Sequence, residues 1–174
     1  MGKIRNRQRS IPIWSEDKNG FIRFTVNSPG ITGAEWTVRL KEEKCIIDAY
    51  AQDILDSNSF MVSQKSLIHA VLIRGSYFKG RYNMDDVEKV AKEYGFTAPN
   101  ADVGCMARER FLNAEIEKMG ISWMVIAHKP VIDRDNDLIY LAVAAKTVYL
   151  CLQINLQIWL GDYSGVGYVF IDKK

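Results

Sequence analysis

Residues 147–160 read TVYLCLQINLQIWL, and their alternation decides the predicted fold. Every even position holds an aliphatic side chain, whereas the odd positions are polar or amphipathic. A period of two is typical of a β-strand with one buried face and one wetter face. Because strands usually have about five or six residues, this one is either long and twisted or bent near Asn155.

A membrane helix is the alternative interpretation of this region. Residues 138–160 carry a single charge, Lys146, and are long enough to span a bilayer as a helix. Such a helix would place Gln153, Asn155 and Gln157 around much of its circumference, whereas a strand collects all three on one face. The pattern therefore favours a sheet, and we expect no membrane partner.

The charge of the chain is concentrated at its start. The net charge of +2 comes from an N-terminal segment, since the rest of the 174 residues contains two more acids than bases. We predict a disordered basic tail over residues 1–9 and one domain over residues 10–174. Three widely separated cysteines argue against a disulfide framework and favour a reducing, cytoplasmic location. Four basic residues stand in the tail: Lys3, Arg5, Arg7 and Arg9.

Helical periodicity appears in three segments before the final strands. Thr32 stands three residues before Glu35, which is the spacing of a capping box at a helix start. Asn83 is a suitable cap for a second helix, and Gly95 suits its end. The predicted helices are residues 33–55, 84–94 and 101–119.

The other periodic segments indicate strands. Asn19-Gly20 suits a type I′ turn between two of them, and the polar residues 133–137 form another turn. Two strands, then helices, then a run of strands predict an α+β fold, with about three helices packed on one face of a largely antiparallel sheet of five to seven strands. The predicted strands are residues 11–14, 21–26, 67–73, 121–127, 138–145, 147–160 and 168–171.

One stretch suggests nucleic-acid binding. Residues 57–84 contain no acid, and their end combines basic side chains that neutralise phosphates with aromatic rings that stack on bases. The alternative is a solvated loop whose aromatic rings pack back onto the core. The candidate residues are Arg74, Tyr77, Phe78, Lys79, Arg81 and Tyr82.

Enzymatic and metal chemistry find little support in the sequence. Cys105 lies near the start of a predicted helix, where a thiol pKa can be lowered, and His128 is a conceivable base for it. Nothing in the spacing brings the two together, and a buried inert thiol is the commoner case. Residues 133–137 resemble the opening of a calcium loop but lack its glycine and its glutamate. We therefore expect no metal and no cofactor.

The polar face of residues 147–160 is the leading candidate for function. It is uncharged, rich in hydrogen-bonding groups and flanked by aromatic rings, as the centres of protein interfaces often are. We therefore expect a small, non-enzymatic protein that binds a protein partner, or a second copy of itself, through a sheet face or edge. Nucleic-acid binding is the second hypothesis and a cysteine enzyme the third. The candidate partner-binding residues are Tyr149, Gln153, Asn155, Gln157 and Trp159.

Overall fold

The structure, a computed structural model, describes residues 13–145, 149–150 and 164–173. The predicted basic tail at residues 1–9 lies outside these ranges. Five α-helices lie in the described part of the chain: α1 Gly33–Glu42, α2 Ala49–Asp56, α3 Met84–Glu93, α4 Asp102–Arg110 and α5 Asn113–Lys118. A single 3-10 turn follows the fourth strand at Gly75–Tyr77. The strands are β1 Trp14–Glu16, β2 Ile22–Ser28, β3 Ile46–Ile47, β4 Ser66–Arg74, β5 Trp123–Ile126, β6 Val131–Ile132, β7 Leu138–Ile139, β8 Ala142–Ala144, β9 Tyr149–Leu150 and β10 Val166–Ile171.

Most of the strands form one sheet in the order β1-β2-β4-β10-β5-β8-β9-β3. Neighbours are antiparallel except for the β10–β5 and β3–β9 pairs. Six strands of three or more residues make up the sheet, and the two-residue strands β9 and β3 extend it. The predicted α+β class with a largely antiparallel sheet is confirmed.

The polar turn predicted at residues 133–137 joins β6 and β7 in a separate two-stranded sheet. Asp133 Oδ1 accepts the backbone N–H groups of Asp135 at 2.9 Å and Asp137 at 2.8 Å. Asn136 takes a left-handed conformation there, with φ 68°. An aspartate that binds its own following amides is a common turn device, so this part of the prediction is confirmed.

Helices cover both faces of the sheet, not one as predicted. Buried residues of α1, α2, α4 and α5 pack on the face that carries Phe24 and Leu72. Helix α3 packs through Val87 and Ala91 on the face that carries Val71. The reason is that the central strands carry apolar side chains on both faces. A face without helices would therefore expose hydrophobic surface to water.

The predicted helix over residues 33–55 is two helices. Its start is correct, because Thr32 Oγ1 accepts the Glu35 N–H at 3.3 Å and the Glu35 carboxylate accepts the Thr32 N–H at 2.8 Å. Lys44 then adopts φ 59°, a left-handed conformation that reverses the chain into β3. Asp48 restarts the helix by accepting the Ala51 N–H at 2.7 Å. The apolar stripe continues across the break, so the helical periodicity of the sequence does not reveal the break.

The predicted helix over residues 101–119 is also broken. Helix α4 ends at Arg110 because Phe111 turns to an extended conformation, with φ −106° and ψ 125°. That change buries the Phe111 ring completely, 5.1 Å from the ring of Phe24 in an edge-to-face contact. The Arg108 guanidinium donates to the Phe111 carbonyl and so satisfies one of the free carbonyls at the end of the helix.

Two strand predictions need correction. The Asn19-Gly20 turn is not of type I′, because Gly20 alone has a positive φ, 80°, and a type I′ turn needs two such residues. The segment 138–145 is not one central strand. It divides into β7, in the small hairpin, and β8, in the main sheet, with the Leu141 N–H bonded to His128 Nε2 at 2.9 Å between them.

The stretch that dominates the sequence pattern is described only at β9, where Leu150 lies opposite Val143. The rest of residues 147–160 falls outside the described residues, so its length and its bend stay predictions. No helix within the described ranges is both long enough and apolar enough to cross a membrane.

Candidate functional site

Strands β2 and β4 extend beyond their neighbours on both sides. Strand β1 pairs with β2 only as far as Phe24, whereas the β2–β4 ladder continues to the pair Ser28–Ser66. On the other side, the pairing of β10 with β4 ends at Ala70. Residues 25–28 and 66–69 therefore form a two-stranded ribbon, flanked by no further strand in the described part of the chain.

The hydrogen-bond pattern fixes which backbone groups of β2 face the open side. The Asp172 N–H donates to the His69 carbonyl at 2.9 Å, so the backbone polar groups of His69 point towards β10. Thr25 lies directly opposite His69. In an antiparallel ladder such a pair is not hydrogen-bonded, and the Thr25 N–H and C=O point away from β4. The N–H and C=O of Asn27, two residues further on, also point away from β4.

One face of the ribbon packs against helices α1, α2, α4 and α5. Val26 is 1% exposed and Ser28 is 4% exposed, on the side of the four-helix layer. The Ser28 hydroxyl donates to the Ser63 carbonyl at 2.9 Å. The open edge is therefore part of a packed sheet rather than a frayed strand end.

Apolar side chains are exposed close to this ribbon in sequence. Met61 is 65% exposed, Val62 is 40% exposed and Leu67 is 54% exposed. Leu67 lies on β4 opposite Asn27. Large exposed apolar side chains grouped within seven residues are typical of interaction surfaces more than of plain solvent-facing loops.

A cleft of about 350 Å³ is lined by residues of β1, β2 and β4 and by the residue that follows β10. Arg23, on its wall, donates to Asp17 Oδ2 at 2.8 Å and also pairs with Asp172. Arg110 and His69 are exposed, and neither side chain has an ion pair or hydrogen bond to another described residue. The lining residues are Ile13, Trp14, Ser15, Arg23, Phe24, Thr25, His69, Ala70, Arg110 and Asp172.

A larger cavity, about 690 Å³, lies between α1, α4 and α5. Burial lowers the pKa of its Arg108 guanidinium. Two further charges on its rim, Arg39 and Glu109, pair with each other. These polar groups already bond to other groups of the protein. They are therefore not arranged together to act on a substrate in the cavity. Arg108 donates to three neutral acceptors: the Asn113 side chain and the carbonyl oxygens of Phe111 and Ala144.

The nucleic-acid candidates divide into structural and exposed groups. Arg74 donates from Nε to the Met119 carbonyl at 2.7 Å, from Nη2 to Glu16 at 2.7 Å and from Nη1 to the Gly20 carbonyl at 3.3 Å. These contacts tie the first hairpin and the end of α5 to β4. A guanidinium that donates from all three nitrogens has few N–H groups left to bind a phosphate.

The aromatic rings of the same stretch mostly contact each other. Phe78 stacks on Tyr82 with centroids 4.4 Å apart, and Tyr77 lies 5.5 Å from the buried ring of Phe21. These contacts match the alternative of a loop whose aromatic rings pack back onto the core. The two remaining basic candidates, Lys79 and Arg81, are exposed.

Cys105 and His128 both have structural surroundings. Cys105 is fully buried, and burial raises the pKa of its thiol, which disfavours the thiolate needed for nucleophilic attack. His128 is 4% exposed, and burial lowers its pKa to about 4. Its Nδ1 bonds the Lys129 carbonyl at 2.6 Å while Nε2 accepts the Leu141 N–H. Both ring nitrogens are therefore occupied.

The predicted partner face is almost wholly outside the described residues. Of the five candidates only Tyr149 falls within them, and only as backbone of β9. Gln153, Asn155, Gln157 and Trp159 stay predictions. Within the described ranges, no cluster of three or more His, Cys, Asp or Glu side chains is arranged to hold a metal.

Sequence reasoning missed the site at the end of the β2–β4 ribbon. The alternation of Phe24 and Val26 with Thr25 and Asn27 marks a strand with one polar face, but it does not reveal which neighbouring strand stops first.

Comparison with protein-family models, with curated proteins and with solved structures gives no match to this chain. The function is therefore inferred from the residues and their geometry.

Proposed function

We propose that this protein binds a protein partner by adding an extended segment of that partner as a strand to the open edge of β2. The observation that carries the proposal is the outward direction of the backbone N–H and C=O groups of Thr25 and Asn27. The register of β1 places Ile13 opposite Thr25, so the outward groups of Asn27 are the ones that no described strand covers. Such groups are a template for another strand, and natural proteins normally cover or block an edge of this kind.

The surroundings of the edge support strand addition. The buried side chains of Val26 and Ser28 hold β2 in place, so little conformational entropy is lost when a partner binds. Leu67 and the nearby Met61 and Val62 supply apolar surface for the partner's side chains. Both kinds of contact serve binding rather than catalysis, in keeping with a non-enzymatic role.

The proposal includes a reducing, cytoplasmic setting. The thiols of Cys45 and Cys105 are both buried, which is compatible with such a compartment. The uncharged row predicted at residues 149–159 remains a second, separate candidate for contact with the same or another partner.

A displayed library of random peptides provides the test. Peptides are selected on the wild-type protein and then compared on two variants, Asn27→Pro and Asn27→Ala. Proline removes the outward N–H without breaking a bond to β4, whereas alanine keeps that N–H. We expect selected peptides to bind wild type and Asn27→Ala but to lose at least about tenfold in affinity for Asn27→Pro, as loss of a backbone bond at an interface predicts.

Amide NMR spectra locate the bound peptide. A selected peptide should shift the Thr25 and Asn27 amide signals and slow their exchange with solvent, and it should leave the ladder amide of Val26 protected as before. Selection that returns no peptide sensitive to Asn27→Pro, with both variants folded, would refute strand addition at this edge.

A further inference from the structure

The cavity between α1, α4 and α5 contains a positive charge that no described acid neutralises. Arg108 lines this cavity and is 7% exposed. Its three hydrogen bonds all go to neutral acceptors, and no carboxylate of the described residues forms an ion pair with it. A buried cation without a counter-ion is costly, so a negatively charged group beside it would be favoured.

The unused donors of Arg108 lie on the two nitrogens that hold a carboxylate elsewhere in this protein. A guanidinium carries five N–H groups, and Arg108 donates twice from Nη1 and once from Nη2. The N–H on Nε and the second N–H on Nη2 have no acceptor among the described residues. In the exposed pair of Arg39 and Glu109, the same two nitrogens of Arg39 bind the two carboxylate oxygens. Two such bonds hold a carboxylate strongly and in a fixed orientation.

The rest of the lining favours a ligand of a certain size and charge. The volume of the cavity, about 690 Å³, lies within the usual range for small-molecule sites. Leu40, Leu112 and Ala114 make parts of its wall apolar. Glu43 and Glu109 also line it and would repel a ligand with several negative charges. The lining therefore suits a single carboxylate on an apolar body.

We infer that this cavity binds a small monocarboxylate with an apolar body, and that the ligand carboxylate accepts the unused N–H groups of Arg108. None of the residues that line the cavity belongs to β2 or β4. Carboxylate binding is therefore an additional property of the protein, and it does not depend on the strand addition proposed above.

Amide NMR titrations with hexanoate and with hexanamide test the inference, because the two probes differ in charge but hardly in shape. We expect hexanoate to bind wild type about tenfold more tightly than hexanamide, the scale of hydrogen bonds to a charged group. The shifted signals should belong to α4 and the start of α5. Arg108→Gln should remove the preference for hexanoate. Arg108→Lys should retain only part of it, because an ammonium group does not form the two parallel bonds.

A second pair of variants locates the site without altering Arg108, which also bonds the end of α4. Ala114 is exposed and lines the cavity, so a bulky side chain in Ala114→Trp should occupy it and abolish hexanoate binding. Ala49→Trp is the matched control, since Ala49 is exposed on α2 and does not line the cavity. It should bind hexanoate as wild type does.

The outcomes that would overturn the inference are specific. They are absence of hexanoate binding to wild type, equal binding of hexanoate and hexanamide, and unchanged binding in Ala114→Trp. Binding of inorganic phosphate in preference to hexanoate would overturn the assignment to a carboxylate. Hexanoate should bind Asn27→Pro as well as it binds wild type, so failure of the carboxylate site and failure of strand addition at β2 are distinguishable.

Discussion

Asp102 holds Ser63 through two hydrogen bonds, since its Oδ2 accepts the backbone N–H and its Oδ1 accepts the hydroxyl, each at 2.7 Å. Asp102 is fully buried, and burial raises the pKa of its carboxyl group. The Ser63 carbonyl in turn accepts the Ser28 hydroxyl. A continuous chain of contacts therefore runs from α4 through the loop before β4 to the end of β2, where the open edge lies.

Replacing Asp102 by alanine should loosen that loop and lower the stability of the fold. The change leaves the Ser63 N–H without its acceptor in a partly buried position, which costs about 2–3 kcal/mol of unfolding free energy. Urea denaturation measures the loss, and hydrogen exchange should show the Ser63 amide exposed. Asp56→Ala is the control, because Asp56 is exposed and bonds only the side chain of Gln52 among the described residues. Equal stability of the two variants would contradict the role assigned to Asp102.

Arg74 provides a second prediction, which separates a structural role from phosphate binding. Arg74→Lys retains the charge but cannot reach the Met119 carbonyl, the Gly20 carbonyl and Glu16 together. We expect a loss of about 1–2 kcal/mol in unfolding free energy, since more than one hydrogen bond is given up. Lys79→Gln and Arg81→Gln should change stability by less than about 0.5 kcal/mol, as exposed substitutions usually do. A stable Arg74→Lys variant would argue against the structural role.

Local features of the fold could be read from the sequence because they depend on neighbouring residues. A capping box begins α1 at Thr32, as its spacing from Glu35 predicts, and Asn83 caps α3 as predicted. The aspartate-rich turn between β6 and β7 follows from the ability of Asp133 to bind its own amides. Each of these devices needs fewer than six residues to be recognised.

The misread features depend on contacts between distant residues. The reversal at Lys44 and the extended Phe111 interrupt helices whose apolar stripes continue past the break, and in each case packing against other elements decides the conformation. Among the described residues, the pairing of β1 and of β10 ends before that of β2 with β4, which leaves the end of the ribbon at Asn27 without a further strand. The lengths of three different strands determine it, so no single stretch of sequence contains the information.

Gly33 of α1 lies against the backbone of Leu55 in α2, and this contact gives a third prediction. A Cβ atom at position 33 would lie 1.9 Å from the Leu55 carbonyl oxygen, which belongs to the backbone and cannot rotate away. Gly33→Ala should therefore separate the two helices and cost about 1–3 kcal/mol, the usual range for overpacking. Gly165→Ala is a suitable control, because its Cβ would meet Ser122 Oγ at an ordinary 3.5 Å. Thermal denaturation of both variants measures the difference, and similar melting temperatures would contradict the prediction.

His128 makes the stability of the fold depend on pH. Its native pKa of about 4 lies below the value of about 6.5 for histidine in an unfolded chain, so the unfolded state takes up a proton first as the pH falls. The stabilisation from a neutral His128 is complete above about pH 6.5 and declines towards pH 4. Once both states are protonated, about 3 kcal/mol has been lost.

His128→Gln tests this dependence, because a glutamine can still accept the Leu141 N–H but does not titrate. Urea denaturation of both proteins at several pH values between 4 and 7 yields two stability curves. Carboxylates titrate in both proteins, so the difference between the curves isolates the histidine. We expect the advantage of wild type over the variant to shrink steadily as the pH falls through this window. Parallel curves would mean that His128 has the same pKa in the folded and unfolded states. The buried His128, which accepts the Leu141 N–H between β5 and β8, would then have no influence on stability in acid.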